Sequence, residues 1–187
     1  MASLGGRFAQ ATRLSQLATR NSYTFIVNRS IESVIRFVNL TAAGLLAGSL
    51  GFGHTALVPG WKEELPRDDA RPLDPLKTAN YFNAIGPVAL GTAVTLAIAA
   101  PRGVTPLRRA LDAASAVGLA GVLAATIMVT VPINKELEAQ PATDYPSDRS
   151  QSLVKNWSRA HAVRTTLGIG AFVCAVAASG LSRNHAK

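Results

Sequence analysis

Trp157, His161 and Arg164 stand four and three residues apart. At 100° per residue on a helix they share an arc of about 60°, which gathers an aromatic ring, an imidazole and a guanidinium on one face. Gly168, Ala171 and Ala175 continue that face in small residues, so a polar cluster caps a close-packing stripe. An imidazole titrates near neutral pH, and a guanidinium offers a planar fork of donors. Such a set suits removal of a proton and stabilisation of the resulting anion. Further polar groups stand near the ends of other apolar segments: Asn134 in Val131-Pro132-Ile133-Asn134-Lys135-Glu136-Leu137, His54, Asn80 and Asn83.

Other chemistries are poorly served. The histidines are His54, His161 and His185, with no His-x-x-x-His or Glu-x-x-His pair, so a metal would need loop carboxylates such as Glu136 or Glu138 and none is expected. Gly5-Gly6 and Gly51-Phe52-Gly53 neither follow a strand nor open a phosphate-binding turn. There is no serine or cysteine nucleophile motif. Cys174 lies inside an apolar run and reads as a packing residue.

The elements that must position these residues are membrane helices. Of 187 residues, 48% are hydrophobic and only 16% charged, with a mean hydropathy of +0.21. Four segments reach the roughly 20 apolar residues that a spanning helix needs: about Ile31 to Val58, Tyr81 to Ala100, Leu107 to Val131 and Ala160 to Leu181. Pro59, Pro66, Pro72 and Pro75 break the first connection, Pro101 to Pro106 forms a short second one, and Pro141 and Pro146 interrupt the third. The pattern predicts an all-α, up-down-up-down transmembrane bundle over residues 31–181, preceded by an Arg-rich arm, residues 1–30, and followed by a tail, residues 182–187.

Basic residues near helix ends stay on the cytoplasmic side. Arg7, Arg13, Arg20, Arg29, Arg36, Arg102, Arg108, Arg109, Arg183 and Lys187 fall on one side with only Glu32 and Asp112 against them. The other nine basic residues meet nine acidic ones, so the whole net charge of +8 sits on one face and both termini are expected in the cytoplasm. This accounts for the basic balance without nucleic acid. The arm itself, with Leu4, Phe8, Ala11, Leu14 and Ala18 on one stripe, reads as a cytoplasmic arm, an interfacial amphipathic helix or a mitochondrial presequence. No cleavable secretory signal is expected. Gly44 and Gly48 form a small-xxx-small pair, read as packing within the bundle rather than between copies.

An up-down topology brings His54, Asn80, Asn83, Asn134, Trp157, His161 and Arg164 to the non-cytoplasmic end, where they would rim one cavity. Ionisable groups within a membrane are costly and face the bundle interior or water. The competing view has Arg164 snorkelling to the interface and His161 capping a helix contact.

The Val-Pro-Ile-Asn-Lys-Glu-Leu segment, followed by Trp-x-Arg-x-His-x-Val-Arg-Thr-x-Leu-Gly, resembles the four-helix membrane family DUF1772, which includes the fungal anthrone oxygenases. The resemblance covers roughly residues 31 to 181, with the Asn134 and Trp157 to Gly168 regions its specific parts. It implies oxidation of an anthrone-type aromatic polyketide to an anthraquinone by O2, without a cofactor. On that footing His161 is the base, Arg164 and Asn134 hold the developing oxyanion, and Trp157 stacks on the planar substrate, with His54 and Asn83 as further pocket residues. The implied partners are a planar hydrophobic small molecule, O2 and the bilayer, in the endoplasmic reticulum or alternatively a mitochondrial membrane. The alternative function is a non-enzymatic multi-pass protein, a helper or a handler of hydrophobic ligands.

Overall fold

Prolines decide where the helices begin and where their pitch changes. In the computed structural model the described residues are 29–59, 75–100, 104–139 and 147–183; the proposed arm through residue 28 and the tail from residue 184 lie outside them. Helix α1 covers residues 29–52 and continues as a π turn, Gly53–Leu57, closed by the Val58 N–H on the Gly53 carbonyl. Two residues after that turn comes Pro59, whose ring would crowd the carbonyl four residues back in a regular α-helix. The same device recurs in the third rod. Helix α3, Pro106–Ala125, passes through a π turn, Thr126–Thr130, into α4, Val131–Glu138, with Pro132 just beyond.

The remaining termini are capped locally. Helix α2, Pro75–Ile98, opens on a proline and carries Pro87 inside, while Thr105 caps α3 by accepting the Arg108 N–H ahead of Pro106. Helix α5, Asp148–Arg183, begins with a reciprocal cap: the Ser147 N–H donates to Ser150 Oγ at 2.9 Å and the Ser150 N–H to Ser147 Oγ at 3.1 Å.

Four helices are long and apolar enough to cross a membrane: Arg29–Ala56, Asn80–Ile98, Pro106–Glu138 and Asp148–Leu181. Two differ from the sequence expectation. The third runs past Val131 to Glu138, because the π turn absorbs Pro132 instead of ending the helix. The fourth starts at Asp148 rather than Ala160, because the serine cap starts a helix before its apolar stretch begins. Trp157, His161 and Arg164 therefore sit well inside α5 and not at its first turn.

Small residues set the helix spacing. A Cβ built on Gly118 would lie 3.0 Å from Ala171 Cβ, and one on Gly121 3.0 Å from Leu167 Cδ1, so α3 and α5 run antiparallel in close contact. Gly44 faces Phe172 and Gly168 faces Leu50, which sets α1 antiparallel to α5 as well. Gly44 thus packs within the bundle, whereas Gly48 opens onto empty space. Ala42, Leu46, Leu50, Ala89, Ala93, Leu119, Val122 and Ala171 form the core between the helices.

The outer surface is apolar: Ile98 is 81% exposed, Met128 75% and Phe37 71%. Ser33, Thr55, Thr95 and Thr166 bond the carbonyl four residues back on their own helix, which satisfies hydroxyls that hydrocarbon would leave unpaired. At the end where α1 and α3 begin, Arg36 makes a bidentate pair with Asp112, at 3.0 and 2.8 Å, and also bonds Glu32 at 2.8 Å. Arg108 bonds Glu32. The two acids that the sequence places on the basic side are thus consumed in a neutral, largely buried cluster. Roughly 20 Å of helix separates Arg36 from Leu50, where a second polar cluster begins.

Candidate functional site

The second cluster is built on α5 and closed by the ends of α1, α2 and α3. His161 is 5% exposed and Arg164 4%. Trp157, one turn before His161, stacks on its ring with centroids 4.9 Å apart and planes 7° from parallel. This is the i, i+4 relation that helical geometry provides. His54, exposed at the π turn of α1, sets its ring 6.0 Å from that of His161, tilted by 31°.

The imidazole is held by backbone. His161 Nε2 lies 3.2 Å from the Leu50 carbonyl, an oxygen that only accepts, so the contact is a hydrogen bond when Nε2 carries a proton. Nδ1 is buried and has no hydrogen-bond partner among the described residues. The Thr165 hydroxyl lies 3.3 Å from the same Leu50 oxygen and 2.9 Å from the His161 carbonyl. Room for the ring comes from Gly53, where a Cβ would sit 3.0 Å from His161 Nε2 and 3.2 Å from Cε1.

The guanidinium meets no acid among the described residues. Arg164 Nη1 donates to Thr130 Oγ1 at 3.1 Å, and the guanidinium carbon lies 5.8 Å from the centre of the Phe82 ring, within cation–π range. Its Nε is buried without a partner, and Arg164 makes no ion pair among the described residues. The contrast with Arg36 and Arg108 at the other end is sharp. Burying a cation without a counter-charge is costly, so an anion beside Arg164 would be stabilised.

The anthrone oxygenase family model matches residues 78–174, just over half of the chain. The chain belongs to the anthrone oxygenase family. Neither the curated proteins nor the solved structures gave a match.

The matched stretch holds most of the cluster in this anthrone oxygenase family member: Phe82, Thr130, Trp157, His161, Arg164 and Thr165. The structure brings together Trp157, His161, Arg164 and, at the edge, His54. Asn134 stands one turn beyond Thr130 on α4, half-buried and with no hydrogen bond to a described residue. Asn83 is exposed on α2. Its neighbour Phe82 turns inward to Arg164, and at 100° per residue that carries Asn83 out of the site. Trp157 is also not a bare stacking platform, because one face already carries His161.

Sequence reasoning missed Leu50, Gly53, Phe82, Thr130 and Thr165. Thr165 was visible within the Thr165-Thr166-Leu167-Gly168 motif, and Thr130 shares a helix face with Asn134. No signal marks Leu50, since its carbonyl does the work. Among the described residues no three His, Cys, Asp or Glu side chains gather closely enough to hold a metal.

Proposed function

We propose that this protein is a membrane-embedded oxygenase that oxidises an anthrone-type aromatic polyketide to the anthraquinone with O2 and without a cofactor. The observation that carries the reading is the pairing of a buried Arg164 guanidinium, which meets no carboxylate among the described residues, with an imidazole whose Nδ1 has no hydrogen-bond partner among them. A neutral base beside an uncompensated cation favours the deprotonated form of a weak carbon acid. Family membership supplies the substrate class.

The methylene of an anthrone lies para to a carbonyl across the central ring. His161 Nδ1 takes one methylene proton, and the electron pair delocalises into the ring system as an enolate whose oxygen faces Arg164. The enolate gives one electron to O2, and the carbon radical and superoxide combine into a C–O–O⁻ bond. Protonation gives a hydroperoxide. Loss of the second methylene proton with cleavage of the O–O bond leaves the new carbonyl and one water. One oxygen atom enters the quinone, the other becomes water, and the substrate supplies all the electrons.

The remaining groups fit supporting parts. Thr130 fixes the guanidinium, and Asn134, one turn away, is placed to share the oxyanion. His161 is flanked by Trp157 and His54, so the planar substrate reaches Nδ1 by displacing one of these rings, entering from the lipid that a hydrophobic molecule already occupies. With both termini in the cytoplasm, the orientation that the basic residues of the sequence favour, the site lies at the opposite interface. Membranes containing the protein are expected to shorten the lifetime of an anthrone in air relative to membranes without it. An unchanged lifetime across a panel of anthrones would leave the helper or ligand-handling role.

A further inference from the structure

We infer that Gly53, at the start of the π turn in α1, is a positioning residue for the base: its bare Cα and the Leu50 carbonyl one turn earlier hold His161 as the Nε2–H tautomer with Nδ1 unprotonated. The inference rests on the reading of His161 as the base and goes beyond it, since it assigns the reactive atom and names the residue that selects it.

Three observations converge. The Leu50 oxygen is 3.2 Å from Nε2, and a backbone carbonyl cannot donate, so the contact requires a proton on Nε2, which in the neutral ring leaves Nδ1 bare. The space beside that nitrogen exists only because residue 53 lacks a side chain: an added Cβ would stand 3.0 Å from Nε2, closer than such atoms pack without movement. The ring has little freedom to yield. Trp157 lies flat against it at 4.9 Å, and the side chain is 5% exposed. An alanine at 53 therefore presses on the nitrogen that makes the selecting bond, and the ring answers by lengthening that bond or turning away.

The π turn gives the reason this spot lies on α1. It ends two residues before Pro59, so the irregular pitch that accommodates the proline also shapes the helix surface presented to His161. The second π turn does the same for the cation: Thr130, its last residue, lies 3.5 Å from the Ala125 carbonyl and accepts from Arg164.

The test uses the full chain in detergent or lipid discs with ¹⁵N-labelled histidine. With three histidines in the sequence, His54→Gln and His185→Gln variants assign every ring. In the wild-type protein His161 is expected to show a pyridine-type shift at Nδ1 and a protonated Nε2. Gly53→Ala should convert this to a mixture of tautomers and lower kcat about tenfold or more, in line with the cost of a misplaced catalytic group, with KM little changed. Gly48→Ala, on the same helix over open space, should leave shifts and kcat as they are.

A protonated Nδ1 in the wild-type protein overturns the inference without any variant having to fold. So does a Gly53→Ala protein that keeps both the wild-type tautomer and its kcat, or a Gly48→Ala protein impaired to the same extent. If the tautomer responds to Gly53→Ala but the wild-type protein oxidises no anthrone, the positioning role stands and the anthrone reading falls.

Discussion

Arg164 is tied to the hydroxyl of Thr130, 3.1 Å away, and to no carboxylate among the described residues. A threonine orients the guanidinium without neutralising it, because the hydroxyl can accept a hydrogen bond yet brings no charge. The arginines at the other end of the bundle are treated differently, since Arg36 meets both oxygens of Asp112. One end spends its charges on holding helices together, and the other keeps a cation in reserve.

Thr130→Val keeps the shape of the side chain and removes the acceptor. A hydrogen bond to a charged group contributes about 1.5–3 kcal/mol, so kcat/KM with an anthrone should fall about 10- to 100-fold. Thr130→Ser, which retains the hydroxyl, should recover most of it. Steady-state kinetics on the pair decides the point, and equal loss in both variants would point to packing instead.

Arg164→Lys keeps the charge but loses the planar fork and the 5.8 Å approach to Phe82. Its turnover should be well below wild type, and Arg164→Met, with no charge to offer, should be lower still. Measured rates in the reverse order would show that the cation hinders the reaction.

His161→Gln should insert and fold while losing about 10²- to 10⁴-fold in turnover, the usual contribution of a general base. Rate and folded yield are to be measured on the same preparation. Retained turnover would remove the imidazole as the base.

Asp112→Asn probes the other end. Removing one partner of a buried ion pair costs about 3–5 kcal/mol, because Arg36 and Arg108 are left facing an uncharged amide. Thermal unfolding in detergent should begin at a clearly lower temperature, while kcat per folded molecule stays near wild type, since roughly 20 Å of helix separates this cluster from His161. A lower kcat at unchanged Tm would mean that the charged cluster takes part in the reaction.

Helical spacing was enough to place Trp157, His161 and Arg164 on one face, and hydropathy was enough to find four helices. Both are properties of a single helix. The partners of that face were less legible because they depend on how neighbouring helices are rotated: Leu50 contributes a carbonyl from 111 residues away, and Phe82 rather than Asn83 points inward. Helix ends were hidden for a related reason. Hydropathy marks where a helix turns apolar, near Ala160, whereas the Ser147–Ser150 cap marks where it starts. Hydropathy ends the third span near Val131, and the π turn before Pro132 shows how the helix continues to Glu138.

The most direct test of the central claim is oxygen consumption by the purified protein supplied with an anthrone, in chelator-treated buffer under ¹⁸O₂. The account predicts protein-dependent uptake of one O2 per anthrone, one labelled oxygen in the anthraquinone and the other in water, with the uptake lost in His161→Gln. Uptake no faster than the spontaneous oxidation of the same anthrone, or uptake that vanishes on chelation and returns with a single metal, would contradict it.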